Sequence, residues 1–143
     1  MAFISIQRDP TNKVLLTKWL RAVNSQEYRE SILSFYRFLK NEGVLYWVVD
    51  ITRTASPDMH DQKWTTNLLG PGICETNLKK IAVILPDDLF LEVVSEKMAE
   101  EVLRLCGMQV EIAFFGDYGE AFDWLNVFIN IDNMSKEKDM FER

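Results

Sequence analysis

Residues 44–49, Val-Leu-Tyr-Trp-Val-Val, form an unbroken apolar run that ends at Asp50. Successive side chains of a strand point to opposite faces, so a strand of this composition needs both faces of its sheet kept dry. That demands helices packed above and below it. The preceding sequence supplies one: Tyr28, Ile32, Phe35, Tyr36 and Leu39 recur at helical spacing, with Asn24 and Glu27 as a start signal and Gly43 as a stop.

The same alternation continues on either side. Phe3–Gln7 and Val14–Trp19 are β-rich runs joined by Asp9-Pro10-Thr11-Asn12, which has turn chemistry, so an antiparallel hairpin is predicted at the start. After Asp50, Ser56 is expected to cap a helix with Pro57 in its first position, running to Leu69 and stopped by Gly70-Pro71-Gly72. Ile81–Leu85 reads as a second buried strand ended by Pro86. Asp87 or Asp88 then opens a helix carrying Phe90, Val94, Met98, Val102 and Leu105 on one side, closed by Gly107. Val110–Phe115 is the last predicted strand. Asp117 and Glu120 follow as a capping box for a helix burying Ala121, Trp124, Leu125 and Phe128. The expected architecture is α/β, a mixed sheet of about five strands with about four helices, the later strands parallel. It forms one domain over residues 1–131, and residues 132–143 are expected to be a charged C-terminal tail that frays.

Composition narrows the function classes. A chain of 143 residues that is 48% hydrophobic can bury a real core unaided. Its formal net charge of −6 repels phosphate backbones, so nucleic acid is not an expected partner. No stretch approaches the ~20 apolar residues that span a bilayer, and membrane insertion is not expected. Cys74 and Cys106 lie far apart in a domain large enough to need no staple, so both are expected to be reduced and the compartment cytoplasmic.

The hairpin, the strand ending at Asp50 and the stretch Phe114-Phe115-Gly116-Asp117-Tyr118-Gly119-Glu120-Ala121-Phe122-Asp123-Trp124-Leu125 together resemble STAS-like domains, the fold of bacterial anti-sigma-factor antagonists. The resemblance spans roughly residues 3–130. It implies a regulatory or binding domain without cofactor that docks onto another protein, in some members under control of a phosphorylated Ser or Thr after the third strand. The corresponding stretch here, Thr52 to His60, lacks the Asp-Ser-Ser/Thr-Gly motif of the switching members, and offers Ser56 and Thr54 as possible phospho-acceptors.

Candidate residues cluster beyond Asp50, where ligands of open α/β sheets gather. An interaction surface for a protein partner or a second copy is expected over Thr52, Arg53, Asp58, His60, Trp64 and Leu68. Tyr36, Trp47 and Met59 are candidates to line an apolar pocket. His60 is the single histidine, with Asp58, Asp61 and Cys74 its nearest possible partners, and no His-x-x-x-His or Cys-x-x-Cys accompanies it, so no metal site is expected. Gly-x-Ser-x-Gly and the glycine-rich phosphate loops are missing, so no catalytic residues and no cofactor are assigned. The expected function is a non-enzymatic protein-interaction domain, with binding of a small apolar or lipid-like ligand as the alternative.

Overall fold

The computed structural model describes residues 2–140, so the last three positions of the expected tail, 141–143, lie outside the described residues. The chain opens with β1 (Ile4–Asp9) and β2 (Val14–Trp19), paired antiparallel from Ile4 opposite Trp19 to Asp9 opposite Val14. The Asp9 carboxylate closes the turn by accepting from the Asn12 backbone N–H at 3.1 Å and its amide at 2.8 Å. Helix α1 (Ser25–Asn41) follows, then β3 (Tyr46–Asp50), α2 (Met59–Ile73), β4 (Lys80–Ile84), α3 (Leu89–Cys106), β5 (Glu111–Phe115) and α4 (Tyr118–Leu125). A last strand, β6 (Ser135–Met140), completes the sheet. The strand order is β5-β4-β3-β2-β1-β6, parallel from β2 to β5 and antiparallel at β1–β2 and β1–β6.

Strand alternation divides the core in two. Leu15, Trp19, Trp47, Val49 and Ile81 face α1, α2 and α3 and form the larger cluster with Ile32, Phe35 and Leu69. Val14, Leu16, Val48, Ala82 and Ile84 face the other way, onto Ala121 and Leu125 of α4. The apolar run at residues 44–49 is thus covered on both sides, as its composition demands.

Local signals place most helix ends. Asn24 and Glu27 form a complete capping box on α1. Asp88 and Asp117 cap α3 and α4 by accepting from Leu91 N–H at 3.1 Å and Glu120 N–H at 2.8 Å. Gly107 ends α3 at φ +67°, in the left-handed region where a side chain would be strained.

Four expectations are corrected. Asp58, and not Ser56, caps α2, accepting from Asp61 N–H at 2.8 Å, and Pro57 lies before the helix. The Gly70-Pro71-Gly72 segment does not stop α2; the helix runs through it to Ile73. A Cβ on Gly70 would come within 2.7 Å of Leu105 Cβ on α3, and one on Gly72 within 2.5 Å of the Tyr36 hydroxyl on α1. Those glycines let α2 wedge between its neighbours. Phe128, expected to be buried, is 87% exposed because α4 has ended before it is reached, and Phe90, expected on one side of α3 with Val94 and Val102, is 70% exposed in the first turn of that helix while those two are buried. Finally, residues 135–140 do not fray but pair with β1 as the sixth strand, with Arg8 opposite Ser135 and Ile4 opposite Met140.

The cysteines also depart from expectation. Cys74 and Cys106 are joined by a disulfide that links the C-terminal ends of α2 and α3, with Cα atoms 5.4 Å apart. Distant in sequence by 32 residues, they meet because both helices return to the same end of the parallel sheet. The ground on which a reducing compartment was expected is thereby removed.

Candidate functional site

Helices α1, α2 and α3 do not close completely on the sheet. Between them lies an apolar cavity of about 140 Å³. Its floor is the inward face of the strands, including Trp19, Trp47, Val49, Val83 and Phe114. The helices contribute Tyr28 and Ile32 from α1, Leu69 and Ile73 from α2, and Leu91, Met98 and Val102 from α3. The wall also includes small side chains, Thr54 and Ala55 from the loop after β3 and Ser95 and Ala99 from α3. Small groups at these positions leave space that Leu or Phe would fill, and that is the local reason a cavity persists in an otherwise packed core.

Two polar clusters hold the helices that frame it. At the start of α2 the buried Asp61 carboxylate accepts from Arg29 Nε at 2.8 Å and Ser25 Oγ at 2.8 Å, tying α2 to α1. The Arg29 guanidinium also lies 5.0 Å over the Trp64 ring. Deeper in, Thr65 donates to Asp61 O at 2.7 Å, so at its 2.9 Å contact with Tyr28 the tyrosine hydroxyl is the donor. Burial pushes the Tyr28 hydroxyl up to about 12, with the charge of Asp61 adding to the rise.

On the opposite face of the sheet, the loop after β3 is shaped by Asp50. Its Oδ1 accepts from the Thr52 backbone N–H at 2.9 Å and from Thr52 Oγ1 at 2.6 Å, while Tyr118 donates its hydroxyl to Oδ2. Burial first, then this bond and the Asp50 charge, raise Tyr118 above the ordinary tyrosine value. The arrangement pins α4 to the end of β3.

The residues singled out in the sequence are scattered over this region. Thr54 and Trp47 line the cavity; Tyr36 and Met59 do not. Tyr36 packs over Gly72, and Met59 is 82% exposed in the first turn of α2. Thr52, Arg53, Asp58 and His60 are exposed, whereas Trp64 and Leu68 are half-buried against the core rather than exposed together. Ser56 is half-buried, its hydroxyl donating to Pro57 O at 3.3 Å. His60 sits at the start of α2, Asp61 is engaged by Arg29, and Cys74 is at the far end of the same helix, so these groups do not converge. Among the described residues no group of three or more metal-ligating side chains is found.

Trp19, Tyr28, Met98 and Phe114 line the cavity without having been singled out. Trp19 was within reach: it shares the two-residue period of Leu15 and Thr17, which places all three on one face of β2. That this face borders a void and not a filled core is invisible to periodicity.

Element order, sheet topology and helix placement give the SpoIIAA-like (STAS-like) fold. A crystal structure of an uncharacterized protein of the DUF3478 family from Shewanella loihica PV-4, described as having a SpoIIAA-like fold, matches with a TM-score of 0.58. The match covers 87% of this chain and 95% of that chain at 19% sequence identity. No family model matches the sequence, and no curated protein matches it. At this identity the likeness establishes the fold, and function has to be argued from the chain's own site.

Proposed function

We propose that this STAS-like domain is a non-enzymatic binding module for a small apolar ligand held between the sheet and helices α1–α3. The observation that carries the reading is the cavity of about 140 Å³ walled almost wholly by apolar side chains. An engineered apolar cavity of ~150 Å³ stays dry and takes up benzene, so a void of this size and lining favours a ring-sized hydrophobic guest over water. We favour ligand binding over the protein-contact role expected from the sequence, because its anchors Trp64 and Leu68 are half-buried against the core. Ala99→Leu, which pushes added carbons into the cavity, tests the reading. Toluene is expected to raise the melting temperature of the native chain and to leave that of the variant unchanged, since a ligand of the folded state stabilises it by mass action. A native melting temperature insensitive to toluene rejects the proposal.

A second reading, contact with a second copy of the chain, is favoured by one surface. Leu89, Phe90 and Val93 are exposed in the first turns of α3, and Met59 in that of α2. Helices α2 and α3 each cross from the carboxyl end of one parallel strand to the start of the next, which brings their first turns to the same end of the sheet. An apolar group of this kind marks a contact surface. Sedimentation equilibrium is expected to show a dimer that Phe90→Asp dissociates; a monomer at all concentrations removes this reading.

A further inference from the structure

The wall of the cavity is only as fixed as the helices that carry it, and α2 is held differently at its two ends. At its start, polar bonds tie it to α1: Asp61 accepts from Arg29 Nε and Ser25 Oγ, and Thr65 Oγ1 accepts from the Tyr28 hydroxyl. At its other end the Cys74–Cys106 disulfide ties it to α3. Among the described residues, no hydrogen bond or ion pair joins α2 to α3 except through Cys74. The link sits beside the wall. Ile73, next to Cys74, and Leu69, one turn earlier, line the cavity from α2, and Val102, one turn before Cys106, lines it from α3. Cutting the link leaves α2 anchored at its start by Asp61 and frees its last turn from α3.

The reduced state has polar partners waiting. The Gly70 and Cys106 carbonyl oxygens lie 3.7 and 2.9 Å from Cys74 Sγ, so a thiol formed there finds acceptors in place. Cys74 is half-exposed and Cys106 only 2% exposed, so an external thiolate meets the pair at Cys74. We infer that this disulfide controls the affinity of the cavity: the oxidised chain holds its apolar guest in a pre-organised wall, and reduction by a dithiol loosens α2 against α3 and weakens the hold. This rests on the apolar-ligand reading above and adds regulation to the same site. In the reduction, a thiolate of the dithiol attacks Cys74 Sγ, the electron pair of the S–S bond leaves with Cys106 Sγ, and Cys106 takes a proton. The second thiol of the reagent then displaces Cys74, which is protonated in turn. Two electrons and two protons pass to the protein, and the reagent closes as a disulfide. Binding and reduction are linked, so the guest opposes reduction by the same factor by which reduction weakens the guest.

Toluene titrated into the oxidised native chain, and into the same chain reduced with dithiothreitol, tests the inference. The reduced chain is expected to bind about tenfold more weakly. Saturating toluene is expected to make the midpoint potential of the disulfide more negative by about 30 mV, the equivalent of that factor for two electrons. The double substitution Cys74→Ser with Cys106→Ser should match the reduced chain and ignore dithiothreitol; should it not fold, the reduced native chain decides alone. Near-UV circular dichroism of the reduced chain is expected to keep the signal of packed tryptophans. Loss of that signal overturns the inference, because the disulfide then holds the fold and not the wall. Equal or tighter binding by the reduced chain also overturns it and leaves the apolar-ligand reading standing. Toluene that binds neither form overturns that reading and this inference with it.

Discussion

Tyr28 shows how a single side chain near the cavity reports on its surroundings. Buried and raised to about 12, its hydroxyl keeps its proton in the folded chain where the unfolded chain, near the ordinary value of about 10, has begun to lose it. The unfolded state therefore binds fewer protons above pH ~10. The stability tied to this group is fully present below that pH and declines as pH rises through the folded value, by roughly 3 kcal/mol for a shift of this size. Tyr118, also raised, acts in the same direction. Denaturant midpoints measured across this alkaline range should fall steeply for the native chain and less steeply for Tyr28→Phe; equal slopes would show that Tyr28 is not protected. Legibility at this scale was uneven. Asn24, Asp88, Asp117 and Gly107 could be read as caps because a cap involves only a residue and its neighbours three or four positions away. Ser56 and Pro57 gave the same local signal, yet Asp58 took the cap: the loop is held by Asp50 bonding back to Thr52, and the helix starts two residues later than Pro57 would allow it to.

At the scale of elements, α2 carries the clearest lesson. Its Gly70-Pro71-Gly72 segment has the composition of a stop, but the two glycines are where α3 and α1 press closest. Gly70→Ala gains about 1 kcal/mol of helix propensity and meets the rigid base of the Leu105 side chain, an overpacking that costs about 1–3 kcal/mol. A net loss of about 1 kcal/mol is expected in urea unfolding. Gly72→Ala, whose new methyl meets only the far end of Tyr36, should cost less; the reverse order would show that α2 is not wedged as described. The disulfide fastens the same pair of helices. Cys74→Ser, or reduction of the native chain, should lower stability by about 2–4 kcal/mol through the freed 32-residue loop, and thermal melts with and without reductant check this. Neither feature was legible, since helix–helix contact and cysteine pairing are set by where the elements dock and not by their own residues.

For the whole molecule, the amino-acid sequence by itself determined the class of fold. The dry run from Val44 to Val49 requires a sheet covered on both faces, and capped amphipathic helices between apolar strands leave an α/β domain with an initial hairpin as the consistent solution. Tertiary structure decided the rest. The charged segment from Ser135 becomes a strand because the edge of β1, more than a hundred residues earlier, offers it unpaired backbone groups, and backbone pairing needs no apolar pattern. Phe90 is exposed because its helix begins facing away from the core, a direction fixed by docking. The cavity exists because small side chains from the loop after β3 and from α3 share its wall with Trp19 and Trp47. Hydrophobic periodicity tells which face of each element turns inward, whereas whether the inward faces touch or leave a void depends on side chains from four strands and three helices meeting at once, and no single stretch of chain carries that information.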